Sequence, residues 1–228
     1  MTDLAKKCIA SWEKHCPDYE IIEWNESNFD INSNEFCRQA YEKKKWAFAA
    51  DYMRIAALQE QGGIYMDTDM ELYKSLDGFL HYPAFAGFED PLHVNVAIMG
   101  AEKGNKWIEA MHGQYKDRKL IDDNGEMVSL AAITIPRVVS SMMEEMYPDF
   151  RRDGTLQHLP DVTVFPEDYF YPISYHEDID KRVSRMSENT VSNHHWCGSW
   201  VEPEKLAKPA PKSKGAKVLI GQDDIQPQ

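Results

Sequence analysis

The stretch GGIYMDTDMEL, residues 62–72, decides how this chain folds. Two glycines close off an apolar segment, and a short apolar run then gives way to Asp67, Asp69 and Glu71 in strict alternation. Residues two apart on a strand share a face. The pattern predicts a strand from Ile64 to Met70. Ile64, Met66, Met70 and Leu72 turn to the core, and Tyr65, Asp67, Asp69 and Glu71 turn away. Asp67 and Asp69 then offer two hard oxygen donors on one side, the donor type that Mg2+ and Mn2+ prefer. A solvated strand end would show the same alternation, so the neighbouring segments must decide.

Upstream, Trp46 to Gln61 is rich in Ala, Leu and Met and reads as a helix stopped by Gly62 and Gly63. Within it Asp51 and Arg54 stand three apart and share a face. A helix whose other positions are apolar is largely buried, so these two charges need partners. A structural ion pair would supply them, and so would a polar ligand at the same strand end. Downstream, SNHHWCGSW (residues 192–200) carries two adjacent imidazoles. Imidazole nitrogen ligates divalent metals. Vicinal residues on a strand face opposite ways, so only one of His194 and His195 is a candidate ligand. A histidine packed against tryptophan is the plain alternative.

The rest of the chain alternates. Helices are predicted over 4–15, 35–44, 105–116 and 128–146, the last kinked or begun by Pro136. Strands are predicted over 19–24, 84–88, 94–99 and 162–165. This order favours an α/β sandwich around a mostly parallel sheet. After Trp200 the composition turns to Pro, Lys and Ala, which reads as a linker. We expect one domain over residues 1–200 and a tail over 201–228, with KVLIG (217–221) as a candidate short strand.

Composition narrows the classes. With 43% hydrophobic and 11% aromatic residues the chain can build a packed core. A formal charge of −13 disfavours nucleic acid as the main partner. No apolar run reaches membrane-spanning length, and MTDLAKKC lacks the apolar stretch of a secretory signal. Cys8, Cys16, Cys37 and Cys197 show no metal-binding spacing and read as reduced thiols, which points to the cytoplasm. The tail lysines, Lys205 to Lys217, suit a weak peripheral contact at the inner face of a membrane, or plain solvation.

The combination of segments resembles a known family. AFAADYMRIAALQEQGGIYMDTDMEL (residues 47–72) is similar to the DxD-containing sugar-binding region of a glycosyltransferase family. That family includes bacterial capsular and lipopolysaccharide sugar transferases and fungal initiating mannosyltransferases, with the clostridial glucosylating toxins as distant relatives. VNVAIMGAEKGN (94–105), EDYFYP (167–172) and HHWCGSW (194–200) resemble its later landmarks. The resemblance implies a GT-A fold, a Rossmann-like sandwich that binds a sugar nucleotide, a UDP-sugar in the first place, with Mn2+ or Mg2+. It implies retaining hexosyl transfer to a saccharide or lipid-linked saccharide acceptor in capsule, exopolysaccharide or lipopolysaccharide synthesis. By the same resemblance Asp69 ligates the metal, Asp67 reaches donor and metal, and His194 contacts metal or pyrophosphate. Asp51 and Arg54 hold the donor sugar, and Tyr65, Asn95, Ser199 and Trp200 complete the donor site.

Two departures stand out. The family's opening strand, I-P-K-x-I-H-x-x-W-F-G, has no counterpart ahead of KCIASW, and its G-P-x-x-x-T element reads IPRVVS (135–140). The alternative is therefore a truncated relative acting as a non-catalytic binding module. A DxD phosphatase fits poorly because Glu71 holds the Thr/Val position of that motif. A glycosidase needs two carboxylates about 5–10 Å apart across a cleft, and Asp67 and Asp69 sit too close in sequence for that.

Overall fold

The computed structural model describes residues 1–129, 134–175 and 179–197. Ser199, Trp200, the tail from 201 and the KVLIG fragment lie outside those residues. The first helix, α1 (Asp3–His15), is capped by Thr2, whose side chain accepts from the Ala5 N–H. α2 (Glu35–Glu42) is capped in the same way by Asn34. α3 (Trp46–Gln61) covers the predicted helix and ends where Gly62 takes φ 72°. A side chain there would meet the Lys103 backbone N at 2.7 Å, so glycine is required twice over.

The predicted acidic strand is two strands. β1 (Gly63–Met66) and β2 (Met70–Leu72) belong to different sheets, and a turn through Asp67, Thr68 and Asp69 separates them. The Met70 N–H donates to the Asp67 carbonyl and closes that turn. The core prediction holds, since Met70 and Leu72 are buried in one cluster and Ile64 and Met66 pack against it.

β3 (Ala84–Asp90) and β4 (His93–Ala101) form a hairpin. α4 (Lys106–Gly113) and α5 (Ile135–Met146) follow, with Pro136 in the first turn of α5, so the proline begins the helix. β5 (Gln157–His158), β6 (Thr163–Phe165), the short α6 (Glu167–Phe170) and β7 (Ser192–His194) complete the order. The main sheet runs β1-β4-β3-β6-β5, and the small one pairs β2 with β7.

The fold is α/β, but the expectation of a mostly parallel sheet is corrected. Among the described residues of the main sheet only β3–β6 is parallel; β1–β4, β3–β4 and β5–β6 are antiparallel. Pro91 and Leu92 alone join β3 to β4, far short of the dozen or so residues a parallel crossover needs. Tyr19–Trp24 is also corrected. It forms no strand, because no ladder partner lies beside it among the described residues, and Ile21 and Ile22 are 45% and 48% exposed.

Two cores flank the main sheet. One joins α2, α3, α4 and α5 to Ala84, Ala86, Phe88, Val94 and Val96. The other gathers Trp12 of α1, Met70 and Leu72 of β2, and Phe165 and Phe170 around Phe85 and Ile98. α1 also seals the free side of β2. Trp12 Nε1 donates to the Met70 carbonyl at 2.7 Å, and Ser11 Oγ accepts from the Leu72 N–H at 2.9 Å. These bonds hold the small sheet, and with it the turn bearing Asp67 and Asp69, against the main body.

Candidate functional site

A cleft of about 1410 Å3 runs along β1 and across the acidic turn. Asp51, Arg54, Tyr65, Asp67, Asp69 and His194 all line it, so the structure brings six of the predicted residues together. Asn95 lines it as well.

The first half of the site is an ion network built on α3. Arg54 Nη2 lies 3.0 Å from Asp51 Oδ1 and 3.2 Å from Asp67 Oδ1. Its Nη1 donates to the Val96 carbonyl at 3.2 Å, and the guanidinium sits 4.6 Å over the Tyr65 ring. Tyr65 Oη donates to Asp67 Oδ1 at 2.6 Å. Asp51 and Arg54 are both buried, so the pair is neither a surface bridge nor self-contained: the one arginine serves two acids. Burial pushes the Asp51 carboxyl up to about 7, and Arg54 only partly opposes it. Burial works against the Arg54 charge too, but Asp67, Tyr65 and Asp51 more than offset it and raise its pKa.

A β-bulge positions this half. Between the pairs Phe85↔Gly100 and Gly87↔Asn95, one residue of β3 faces four of β4, Val96 to Met99. The Val96 and Ala97 carbonyls then accept from Arg54 and from the Asp67 N–H, the latter at 2.7 Å. Tyr171 Oη accepts from the Ile98 N–H, and Asn95 Oδ1 accepts from the Ala97 N–H. Bulges beside sites re-aim what the strand carries.

The second half stands on β2 and β7. His194 Nε2 lies 3.1 Å from Asp69 Oδ1, and the Cys197 N–H donates to Asp69 Oδ2 at 2.9 Å. Burial alone would raise the Asp69 pKa, but His194 and Cys197 overcome it and hold the carboxyl well below the usual carboxylate range. The His194 ring packs 4.0 Å from Trp196, and its buried Nδ1 has no partner among the described residues. Asp67, Asp69 and His194 present ligand atoms all within 4.8 Å of one another. Two carboxylates and an imidazole at that separation fit one divalent cation.

His195 goes elsewhere. Its Nε2 meets Glu71 Oε2 at 2.9 Å, and Lys7 Nζ meets Glu71 Oε1 at 2.8 Å. Glu71 is thus salt-bridged outside the metal-ligand group. Asn95 is engaged internally at both ends of its amide: Oδ1 braces the bulge, and Nδ2 donates to Glu89 Oε2 at 2.5 Å. Glu89 was not anticipated from the sequence. It lines the cleft at the end of β3, its pKa raised by burial, and no spacing in AFAGFED marks it.

Residues 2–86 match the family model described as a glycosyltransferase sugar-binding region containing a DXD motif. Over 107 residues the chain is 31% identical to inositol phosphoceramide mannosyltransferase 3 of Schizosaccharomyces pombe, covering 45% of this chain and 29% of that protein. Over 93 residues it is 33% identical to mannosyl phosphorylinositol ceramide synthase SUR1 of Saccharomyces cerevisiae, covering 37% and 23%. The chain therefore spans less than a third of the length of these curated relatives. Among solved structures it is similar to PaToxG glycosyltransferase, with a TM-score of 0.47, 16% identity, and 65% and 64% of the two chains covered. The matched region holds Asp51, Arg54, Tyr65, Asp67 and Asp69. Over residues 2–86 the chain is therefore similar to the DXD-containing sugar-binding region of glycosyltransferases.

Proposed function

We propose that the domain over residues 1–200 is a GT-A-type, metal-dependent retaining glycosyltransferase that moves a hexosyl group from a nucleotide sugar to a saccharide or lipid-linked saccharide acceptor. The observation that carries this reading is the convergence of Asp67, Asp69 and His194 within 4.8 Å on the wall of a cleft already lined by Asp51 and Arg54. Asp67, Asp69 and His194 would hold Mn2+ or Mg2+. That ion would neutralise the charge gained by the departing nucleoside diphosphate. Arg54 fixes the Asp67 carboxylate by ion pair, and Tyr65 fixes it by hydrogen bond. Asp51 supplies a carboxyl for a sugar hydroxyl and negative charge near an oxocarbenium-like centre. Same-face attack by the acceptor hydroxyl, with the leaving phosphate oxygen as base, suits a site in which no carboxylate is assigned as nucleophile. A glycosyl–enzyme adduct trapped on any carboxylate would rule that route out. Ser199 and Trp200 are proposed to close over the phosphates. UDP is the first nucleotide to test, and the relatives' names, which specify mannosyl transfer to inositol-phosphate ceramides, add GDP and favour a lipid-linked acceptor.

Thermal unfolding with UDP and Mn2+, against UDP and EDTA, tests the reading. A metal-dependent rise in wild type that Asp69→Asn loses supports it. A second reading, a non-catalytic relative that binds a partner, is favoured by the unpaired Tyr19–Trp24 segment along the cleft. No metal-dependent response to UDP, GDP or CDP would put that reading first.

A further inference from the structure

Beside α5 and the start of β4 a second, smaller pocket of about 310 Å3 is lined by Arg118, Arg137, Arg152, Gln114, Ser141 and Glu145. His93 and Arg137 line both this pocket and the main cleft, so the two adjoin at the β3–β4 turn. The wall is rich in hydrogen-bond donors. Arg152 donates from Nη2 to Glu144 at 2.6 Å and to Ser141 Oγ at 3.3 Å, and from Nη1 to the Leu92 carbonyl at 3.4 Å. Its Nε–H is buried and has no acceptor among the described residues. Arg118 is held by its Nε bond to the Gln114 carbonyl at 3.1 Å and lies 5.5 Å over the Tyr115 ring. The Arg137 guanidinium is exposed and makes no hydrogen bond or ion pair among the described residues.

Three arginines around one small pocket are unusual company in a chain of formal charge −13. Like charges at close range repel, and one bound anion relieves that repulsion. Guanidinium forks match phosphate oxygens in particular. Glu145 lines the pocket beside the arginines and Glu144 pairs with Arg152, which favours the low charge of a phosphodiester over that of a phosphate monoester.

We propose that this pocket binds the phosphate, a phosphodiester first of all, of the acceptor substrate and so aligns an acceptor hydroxyl with the adjoining cleft. The proposal rests on the glycosyltransferase reading above. The phosphate belongs either to a lipid headgroup or to a soluble phosphorylated saccharide.

Isothermal titration of the full chain with dimethyl phosphate tests it, alongside the UDP and Mn2+ melting shift on the same proteins. Wild type should bind dimethyl phosphate, and Arg137→Ala and Arg118→Ala should each bind it at least about tenfold more weakly, as loss of a charged hydrogen bond predicts. Arg137→Ala should keep the unliganded melting temperature, and Arg118→Ala, at a residue that does not line the main cleft, should keep the UDP–Mn2+ shift. Asp69→Asn should lose the UDP–Mn2+ shift and keep dimethyl phosphate binding. No binding by wild type, or equal binding by Arg137→Ala, overturns the proposal. Loss of only the UDP–Mn2+ response in wild type overturns the donor reading and leaves the anion pocket standing. Vesicles of phosphatidylcholine with phosphatidylglycerol, compared with phosphatidylcholine alone, separate the two sources. Anionic-vesicle binding that Arg137→Ala abolishes assigns a lipid headgroup. Dimethyl phosphate binding without it assigns a soluble phosphorylated saccharide.

Discussion

Asp69 with His194 and Glu71 with His195 are two versions of one arrangement, their acids two residues apart and their imidazoles adjacent in the chain. Each is a carboxylate on an imidazole Nε2, at 3.1 and 2.9 Å. Their surroundings set them apart. Glu71 of β2 meets His195 beside α1, where Lys7 neutralises the acid. His194 lies on the buried side, opposite Met70, and the turn at Asp67–Asp69 carries Asp69 round to meet it. There the third partner is a second carboxylate, Asp67, itself ion-paired to Arg54, and the ligand atoms of Asp67, Asp69 and His194 lie within 4.8 Å of one another. The chemical groups are nearly the same, and the third partner sets the two pairs apart.

The largest effect is expected behind this comparison, in the ion network that supports Asp67. Arg54→Ala would strand Asp51 and Asp67 without their shared cation and should lower stability by about 3–5 kcal/mol in urea unfolding. A loss below about 1 kcal/mol would mean that water replaces Arg54 and that the network is not rigid.

Next comes the contrast itself. At about 100 times its dissociation constant a ligand adds roughly 2.7 kcal/mol, and each kcal/mol moves the midpoint by about 2–4 °C in a domain of this size. Asp69→Asn should abolish that shift with UDP and Mn2+, and Glu71→Gln should retain it. Equal losses would erase the distinction between the two pairs.

The histidines sharpen the same point. His194→Ala should weaken Mn2+ binding, read by fluorescence competition, by at least about tenfold, or 1.4 kcal/mol. His195→Ala should leave it within about twofold, under 0.5 kcal/mol by the same conversion.

The smallest effect is a pH dependence at Glu71. Burial alone would raise its pKa, but Lys7 and His195 more than offset that and hold it below the ordinary value. A carboxyl lowered on folding stabilises the protein above its unfolded pKa, about 4.3. That contribution fades as pH falls through the lower folded value. Glu71→Gln should remove this part of the acid-side slope, worth less than about 1 kcal/mol because Lys7 is exposed. An unchanged slope would show that the bridge contributes nothing to stability.

Much of the site was legible because helix and strand periods are local. The three-residue spacing put Asp51 and Arg54 together, and vicinal strand geometry parted His194 from His195. The strand alternation was overextended, since nothing local showed that the ladder would stop at Met66 and turn. The antiparallel hairpin was signalled by EDPLH, two strands with only Pro91 and Leu92 between them, but the alternation of helices and strands obscured it. Glu89 carried no signal because its burial depends on Asn95 and on where the hairpin ends.

By itself the sequence determined the α/β class, the approximate extent of α3, the D-x-D pair and the divergence of the two adjacent histidines, since each follows from local spacing. Only the tertiary structure decided that Arg54 serves two acids, that a bulge in β4 hands its carbonyls to Arg54 and Asp67, and that Asp69 and Glu71 part company. The reason is the range of the interactions. Periodicity fixes which side chains share a face, whereas the partner that gives each charge its role comes from a segment up to 128 residues away.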